Sequence, residues 1–340
     1  MAANEQRNRV VVIAEIGVNH NGSLELAKKL VKRCVEAGAD YAKFQTFTAK
    51  DLASESAPLA NYQQNSFAGQ RQVDLLSALE LSEADFEELV AHCATEGIGF
   101  LTTAHDLGSA VFVMGLESDF VKVPSGDVTN YPFLRLVAQQ QTAVLLSTGA
   151  SRADEVRQAV EVLESGGLSR SQITVLQCTT EYPAPPEQAN LLAMVEMGKE
   201  LGVSVGYSDH TSGQNVAVAA VALGATVIEK HITLDRDMEG PDHAASLEPG
   251  EFSDMVVAIR QVEKALGGNT KFVTSAEERN REVIRKSIVA RTRIEAGELF
   301  GEENLGVMRP GNGLSPMHWP QLIGQVAHRS YGPNEMIELQ

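Results

Sequence analysis

Two histidines, two lysines and a set of carboxylates recur near the ends of short apolar runs in this chain. In "IEKHITL" (228–234), Glu229, Lys230 and His231 stand together inside what otherwise reads as a buried strand. An unpaired charge is strongly destabilising in such a place, so these side chains need partners or a ligand. One apolar run earlier, "SVGYSDH" (204–210) ends on Ser208 and His210. Two imidazoles from adjacent strand ends, His210 and His231, suit one divalent ion with positions left for water and substrate oxygens. That is the pattern of a catalytic rather than a structural metal. Lys43 and Lys122, with Ser125, Ser147, Thr180 and Ser208 as neutral donors, suit an oxyanion such as phosphate or carboxylate. Glu15, Asp127, Glu229 and Asp242 are open to three roles: proton carrier, orienting partner or hydroxyl binder. His20, His105 and His243 fall in loops at the same rim and stay open between ligand and structural residue.

The elements that must position these groups are strands at 10–17, 41–47, 99–104, 120–126, 143–149, 173–180, 204–210 and 227–233. Helical patterns lie between them at 23–37, 82–96, 130–140, 151–165, 187–201, 213–223 and 250–266. Ser82 with Asp85, and Ser151 with Asp154, read as N-caps; Gly38, Gly97, Gly202 and Gly224 read as C-terminal stops. Strands alternating with helices in this number predict a (β/α)8 barrel. A doubly wound sheet would carry a G-x-G-x-x-G turn after an early strand, and "EIGVNHNGS" is not one.

In a barrel, alternate strand residues face the lumen and chemistry gathers at the C-terminal ends. Period two puts Glu15, then Lys43 with Gln45, Lys122, Ser147, Thr180, Ser208 with His210, and Glu229 with His231 on that inner face, with Ser125, Asp127 and Tyr182 just beyond. Lys230 has the opposite parity, so it is expected to face the helix layer and reach solvent by its stem. Asp40 and Asp119 precede their strands at the far end and are expected to be solvated. Cys178, with no cationic activator evident, reads as packing rather than a nucleophile.

The 340 residues contain 28 Lys+Arg against 45 Asp+Glu, a formal charge of −17. This balance argues against nucleic acid or an anionic membrane surface as partner. No apolar run reaches membrane-spanning length, and the first residues lack a signal-peptide core, so the cytoplasm is the expected location. Three dispersed cysteines, Cys34, Cys93 and Cys178, read as reduced and buried. The barrel is expected over 1–268 and a linker over 269–284. A small β-rich domain of short runs broken by Gly and Pro follows over 285–340, with Arg309 in its turn "MRPGNGLSP".

The ordered motifs "AEIGVNHNGSLELAKKL", "AKFQTF", "VKVPSGDVTNYPFL", "LSTGAS", "CTTEYPAP", "GYSDHTSG", "EKHITLD" and "GPDHAASLEP" resemble the sialic acid synthase family over nearly the whole chain. The tail "VARTRIEAGELFGEENLGVMRPGNG" resembles that family's C-terminal antifreeze-like (SAF) domain. The resemblance implies a (β/α)8 enzyme, dependent on a divalent metal such as Mn2+ (Mg2+ or Co2+ as alternatives) and forming a domain-swapped homodimer. It would join phosphoenolpyruvate to an N-acetylmannosamine-type aldehyde sugar, giving a nine-carbon 2-keto acid and phosphate. On it, His210 and His231 would hold the metal. Lys43, Lys122, Ser125, Ser147 and Ser208, with Thr103 and Thr180, would hold phosphoenolpyruvate. Gln45, Asp127, Tyr182, Asp242 and a partner-contributed Arg309 would contact the sugar, while Glu15 and Glu229 complete the lumen. Asp127 stands where bacterial relatives often have Glu, and Thr180 where some have Asn. "CTTEYPAP", "KVPSGD" and "GPDHAAS" look closer to synthases making legionaminic acid from a 2,4-diacetamido trideoxy sugar, with N-acetylneuraminate as the other product. A synthase acting on a sugar phosphate, and a non-catalytic carbohydrate-binding barrel, are the competing readings.

Overall fold

The structure, a computed structural model, describes residues 9–59, 71–268 and 270–339. The chain forms two compact units, Met1–Gly267 and Gly268–Gln340. In the first, eight strands close in chain order into a parallel barrel. They are β1 (Val11–Gly17), β2 (Tyr41–Thr46), β3 (Gly99–Ala104), β4 (Phe120–Val123), β5 (Ala143–Ser147), β6 (Ile173–Cys178), β7 (Ser204–Asp209) and β8 (Val227–His231).

Period-two alternation builds two cores from the same strands. Inward-facing Ile13, Leu101, Leu145, Leu176 and Val227 pack together and plug the lower lumen. Outward-facing Val12, Ala14, Ile16, Phe44, Tyr207 and Ile228 meet the surrounding helices, where Leu30, Phe86, Leu89 and Phe252 are buried against them. The apolar plug confines polar groups to the upper lumen, at the strands' C-terminal ends.

The helices follow their local signals with one correction. Ser82 and Asp85 form a capping box at Glu83–Glu96, and Gly97 closes that helix in the left-handed region at φ 75°. Ser151 does not cap the helix Ala153–Ser165. Its N-cap is Arg152, whose backbone N–H donates to Glu155 Oε2 at 2.7 Å, because Arg152 is the last extended residue before the first turn. Between β2 and β3 there are also helices Ala49–Leu52 and Gln72–Leu79, which the sequence pattern did not single out.

Asp40 is not solvated as expected. It accepts the Val12 N–H at 2.8 Å and pairs with Arg9 at 2.7 Å and Arg260 at 2.9 Å, tying the start of β1 to helix Pro249–Leu266. Asp119 is exposed and accepts the Tyr41 hydroxyl at 2.6 Å.

The second unit opens with helix Ser275–Ile284, capped by Thr274 and Glu277. An antiparallel pair follows, β9 (Ser287–Ala290) and β10 (Leu305–Met308). Ile288, Ile294, Phe300, Leu305, Leu322 and Tyr331 form its own small core.

Candidate active site

A cleft of about 430 Å³ opens above the plug. Of the residues expected at the site, Glu15, Lys43, Gln45, Thr103, Lys122, Ser125, Ser147, Thr180, Tyr182, Ser208, His210, Glu229 and His231 line it. Alternation carries Lys43 and Gln45 inward on β2, and the register sets Glu15 against Lys43 on one side and His231 on the other. A bulge after Glu15 turns the strand at Gly17, where φ is 56° and a Cβ would come within 3.1 Å of Gln45 Nε2. Glycine is required there for the chain to leave β1 without displacing that amide.

Buried charges on the cleft floor are interleaved. Lys43 Nζ donates to Glu15 Oε2 at 2.6 Å and lies 3.6 Å from Glu229. Lys122 Nζ donates to Ser147 Oγ at 2.7 Å and lies 3.7 Å from the other oxygen of Glu229. Ser208 Oγ donates to Glu229 at 3.1 Å, and Gln45 Nε2 donates to Glu15 at 3.0 Å. Burial opposes ionisation of Glu229, but Lys122, Lys43 and the two imidazoles outweigh it and hold its carboxyl down to about 2. For Lys43, burial is likewise outweighed, by Glu15 and Glu229, and its ammonium is held above the ordinary value. Lys122 goes the other way, lowered by burial.

At the mouth the two imidazoles lie with ring centroids 5.5 Å apart. His210 Nδ1 is 2.7 Å from the Thr179 carbonyl, an acceptor, so Nδ1 carries a proton and Nε2 is the ring nitrogen left for a ligand. Against burial, Cys178 and that carbonyl raise the imidazole above its ordinary value. His231 Nδ1 is buried without a protein partner, and Asp242 Oδ2 lies 3.9 Å from it. Burial, then His210 and Lys43, holds His231 well below its ordinary value, in the neutral form that ligates metals. The Tyr182 ring lies over His210 at 4.0 Å. Among the described residues no group of three or more His, Cys, Asp or Glu side chains is arranged to hold a metal. Two protein imidazoles, one oriented by a carbonyl and one with an unpartnered nitrogen, fit an ion whose other positions go to water and substrate.

Three expected site residues lie outside the lining. Asp127, half-buried beside Ser125, accepts from Asn130 Nδ2 at 2.7 Å; burial, and secondarily Asp106, raises its carboxyl. Asp242 is buried behind His231, and burial followed by Glu15 pushes it up to about 6. Arg309 belongs to the second unit and is exposed just after β10.

The lining also includes Pro124 and Gly126 beside Ser125, His105, which the sequence leaves open at the rim, and Cys178, which it assigns to packing. His105 lines the cleft with Nε2 unpartnered and the ring pushed down to about 3 by burial, Lys43 and Lys122. Cys178 lines it too and is not packing alone: Sγ lies 3.8 Å from His210 Nδ1, and against burial His210 and Lys122 hold its thiol below the ordinary value. Only strand order and register reveal that proximity. His20 and His243 are structural. His20 Nδ1 accepts the Gly22 N–H at 3.1 Å, and His243 bridges Thr233 at 2.7 Å and Asn21 at 3.2 Å.

Lys230 does not reach solvent. Its side chain is 0% exposed and its Nζ donates to Asp209 Oδ2 at 2.8 Å, on the helix-facing side of the barrel. Parity gives the face correctly, but the matching carboxylate on β7 removes any need for a solvent path.

A closed eight-stranded barrel with buried lysines, carboxylates and imidazoles gathered at its C-terminal rim defines a (β/α)8 enzyme. The chain belongs to the NeuB family, whose model matches residues 30–271, and the SAF domain model matches residues 285–339. It is 44% identical over 330 residues to the N,N'-diacetyllegionaminic acid synthase of Campylobacter jejuni, covering 97% of this chain and 99% of that one. It is 40% identical over 316 residues to the synthase of the same name from Legionella pneumophila, covering 92% and 89%. Among solved structures it resembles the N-acetylneuraminic acid (sialic acid) synthetase of Leptospira borgpetersenii, with a TM-score of 0.72 at 29% identity, covering 80% and 90%.

Neutral buried imidazoles give a pH dependence. His20, pushed down to about 4 chiefly by burial, and His105, at about 3, stay neutral while unfolded imidazoles protonate near about 6.5. Their contribution is therefore complete above about pH 6.5 and is lost as pH falls through that value toward the folded ones. Asp242, raised to about 6, acts oppositely, since its contribution falls as pH rises from the ordinary carboxylate range toward 6. The unfolding free energy of the full chain should fall as pH drops from about 7.5 to about 6, by up to about 1.4 kcal/mol per pH unit per histidine, and the thermal midpoint should fall with it. His105→Gln should flatten that slope; an unchanged slope would contradict the assignment.

Proposed function

We propose that this protein is a nonulosonic acid synthase. It condenses phosphoenolpyruvate with an N-acetylated amino-sugar aldehyde and water, giving a nine-carbon 2-keto acid and phosphate. The observation that carries the reading is the pair of buried ammonium groups on the cleft floor, Lys43 and Lys122, facing the neutral donors of Ser147 and Ser125. A carbohydrate-binding barrel has no need of buried cations bracketing a carboxylate.

Lys122, Ser147 and Lys43 hold the phosphate and carboxylate oxygens. Ser125 Oγ accepts the Gly149 N–H at 2.9 Å, which leaves its hydroxyl proton free to donate to an oxyanion. The unpartnered Thr103 Oγ1 and His105 Nε2 supply neutral hydrogen-bonding capacity beside them. C3 of phosphoenolpyruvate attacks the aldehyde carbon, water adds at C2, and cleavage of the C2–O bond expels phosphate. Asp127, with its raised carboxyl oriented by Asn130, handles the proton at C2. A divalent ion, Mn2+ first with Mg2+ or Co2+ as alternatives, would be held by His210 Nε2 and His231 and would polarise the aldehyde oxygen. Charge supports this: Lys43 and Lys122 are cancelled by Glu15 and Glu229, so a multiply anionic substrate in a chain of charge −17 needs further positive charge.

The sugar favoured is the 2,4-diacetamido trideoxy aldose leading to N,N'-diacetyllegionaminate, supported by the two bacterial relatives of that activity; N-acetylmannosamine is the second reading. A sugar phosphate is disfavoured. Lys43 and Lys122 are the lysine and arginine side chains that line the cleft among the described residues, and both are committed to the first phosphate. The working form is a cytoplasmic homodimer in which Arg309 reaches the sugar from a second copy of the chain.

Purified protein with phosphoenolpyruvate, Mn2+ and each sugar should release phosphate in a sugar-dependent way, lose this with EDTA and regain it with Mn2+. Lys122→Ala should lower kcat/KM by about 100-fold to 1,000-fold. No sugar-dependent phosphate with any candidate would contradict the reading. For the dimer, mixing Arg309→Ala with Lys122→Ala subunits should restore activity that neither has alone. Mixtures as inactive as their components would rule out contribution in trans.

A further inference from the structure

Two buried charges that this chemistry does not use lie directly behind the two imidazoles. Asp209 precedes His210 and Lys230 precedes His231, and the two are register partners across β7 and β8. Their side chains point to the helix layer, both 0% exposed, with Lys230 Nζ 2.8 Å from Asp209 Oδ2. The other carboxylate oxygen accepts both the N–H and the hydroxyl of Thr211, each at 2.8 Å. Lys230 also donates to the Thr211 carbonyl. The exit of β7, Asp209–His210–Thr211, is therefore wrapped around the ion pair.

Both imidazole-bearing backbones are tied down around it. The His210 carbonyl accepts the Ala184 N–H at 2.8 Å, and Ala184 bridges Thr211. This couples the β7 exit to the loop carrying Tyr182, whose ring covers His210. The His231 carbonyl accepts the Leu247 N–H at 3.0 Å, and the Glu15 carbonyl accepts the Ile232 N–H at 2.9 Å. A shift of the β7 backbone relative to that of β8 at the two histidines would disturb the Asp209–Lys230 contact.

A fully buried ion pair adds little net stability over a well-packed apolar pair of the same volume. What it supplies is a fixed geometry. We propose that Asp209 and Lys230 are a positioning pair that sets the separation and angle of His210 and His231, and thereby the affinity of the site for a divalent cation. The inference rests on the metal-binding reading given above.

The test is equilibrium Mn2+ binding to the full-length protein, followed by the electron paramagnetic resonance signal of free Mn2+, with thermal unfolding alongside. The variants are the double substitution Asp209→Asn/Lys230→Met, which removes both charges, and Thr211→Val, which keeps the pair but removes the hydroxyl that orients it. The double variant should bind Mn2+ about tenfold or more weakly, the effect typical of lost ligand-orienting partners, and its activity should recover as Mn2+ is raised. Thr211→Val should weaken binding in the same direction by a smaller factor, and it decides the matter should the double variant not fold. Variants that bind Mn2+ as tightly as the parent, whatever their thermal midpoint, would overturn the positioning role and leave the pair structural. A parent protein with no saturable Mn2+ binding would instead overturn the metal reading, and this inference with it.

Discussion

Glu229 sits between two buried ammonium groups, and the upper lumen depends on that sharing. Lys43 approaches one of its oxygens and Lys122 the other, while Glu15 balances the second positive charge. Any one of these groups alone would be intolerable above an apolar plug of Ile13, Leu101, Leu145, Leu176 and Val227. Together they form a neutral cluster that is electrostatically stiff yet keeps its donors directed into the cleft. An anionic substrate meets ammonium groups that are already desolvated and held in place, which is the condition under which hydrogen bonds to developing charge are worth most.

The same strands serve two dielectric compartments because side chains alternate. On β8, Glu229 and His231 face the cleft while Lys230 faces the helices. On β7, Ser208 and His210 face in while Asp209 faces out. The lumen carries the chemistry and the outer face carries a matched ion pair, so neighbouring residues of opposite character coexist without conflict. A one-residue slip of either strand would exchange the two sets, so the pairing also penalises the wrong register.

Much of this was legible from the sequence because period-two alternation and strand–helix alternation are local signals. Eight strands, their order of polar ends and the inward parity of Glu15, Lys43, Lys122 and Glu229 follow from them. What was not legible depends on which strand stands beside which. Parity put Lys230 on the helix side but could not supply Asp209, 21 residues earlier, as its partner. Arg260, 220 residues from Asp40, is the same kind of blind spot, as is His210 beside Cys178. Loop residues were hardest: Asp127 and Asp242 lie outside the lining, while His105, open at the rim between ligand and structural residue in the sequence, enters the cleft.

The family resemblance named the reaction, and the cleft supplies the groups that such a reaction requires. The most direct test follows the fate of one oxygen. Phosphoenolpyruvate labelled with 18O at the bridging position is incubated with the protein, Mn2+ and the 2,4-diacetamido sugar, and phosphate is read by 31P NMR. Condensation in this cleft predicts sugar-dependent phosphate that retains the label, together with a nine-carbon keto acid. Unlabelled phosphate, or labelled phosphate released without any need for sugar, would contradict it.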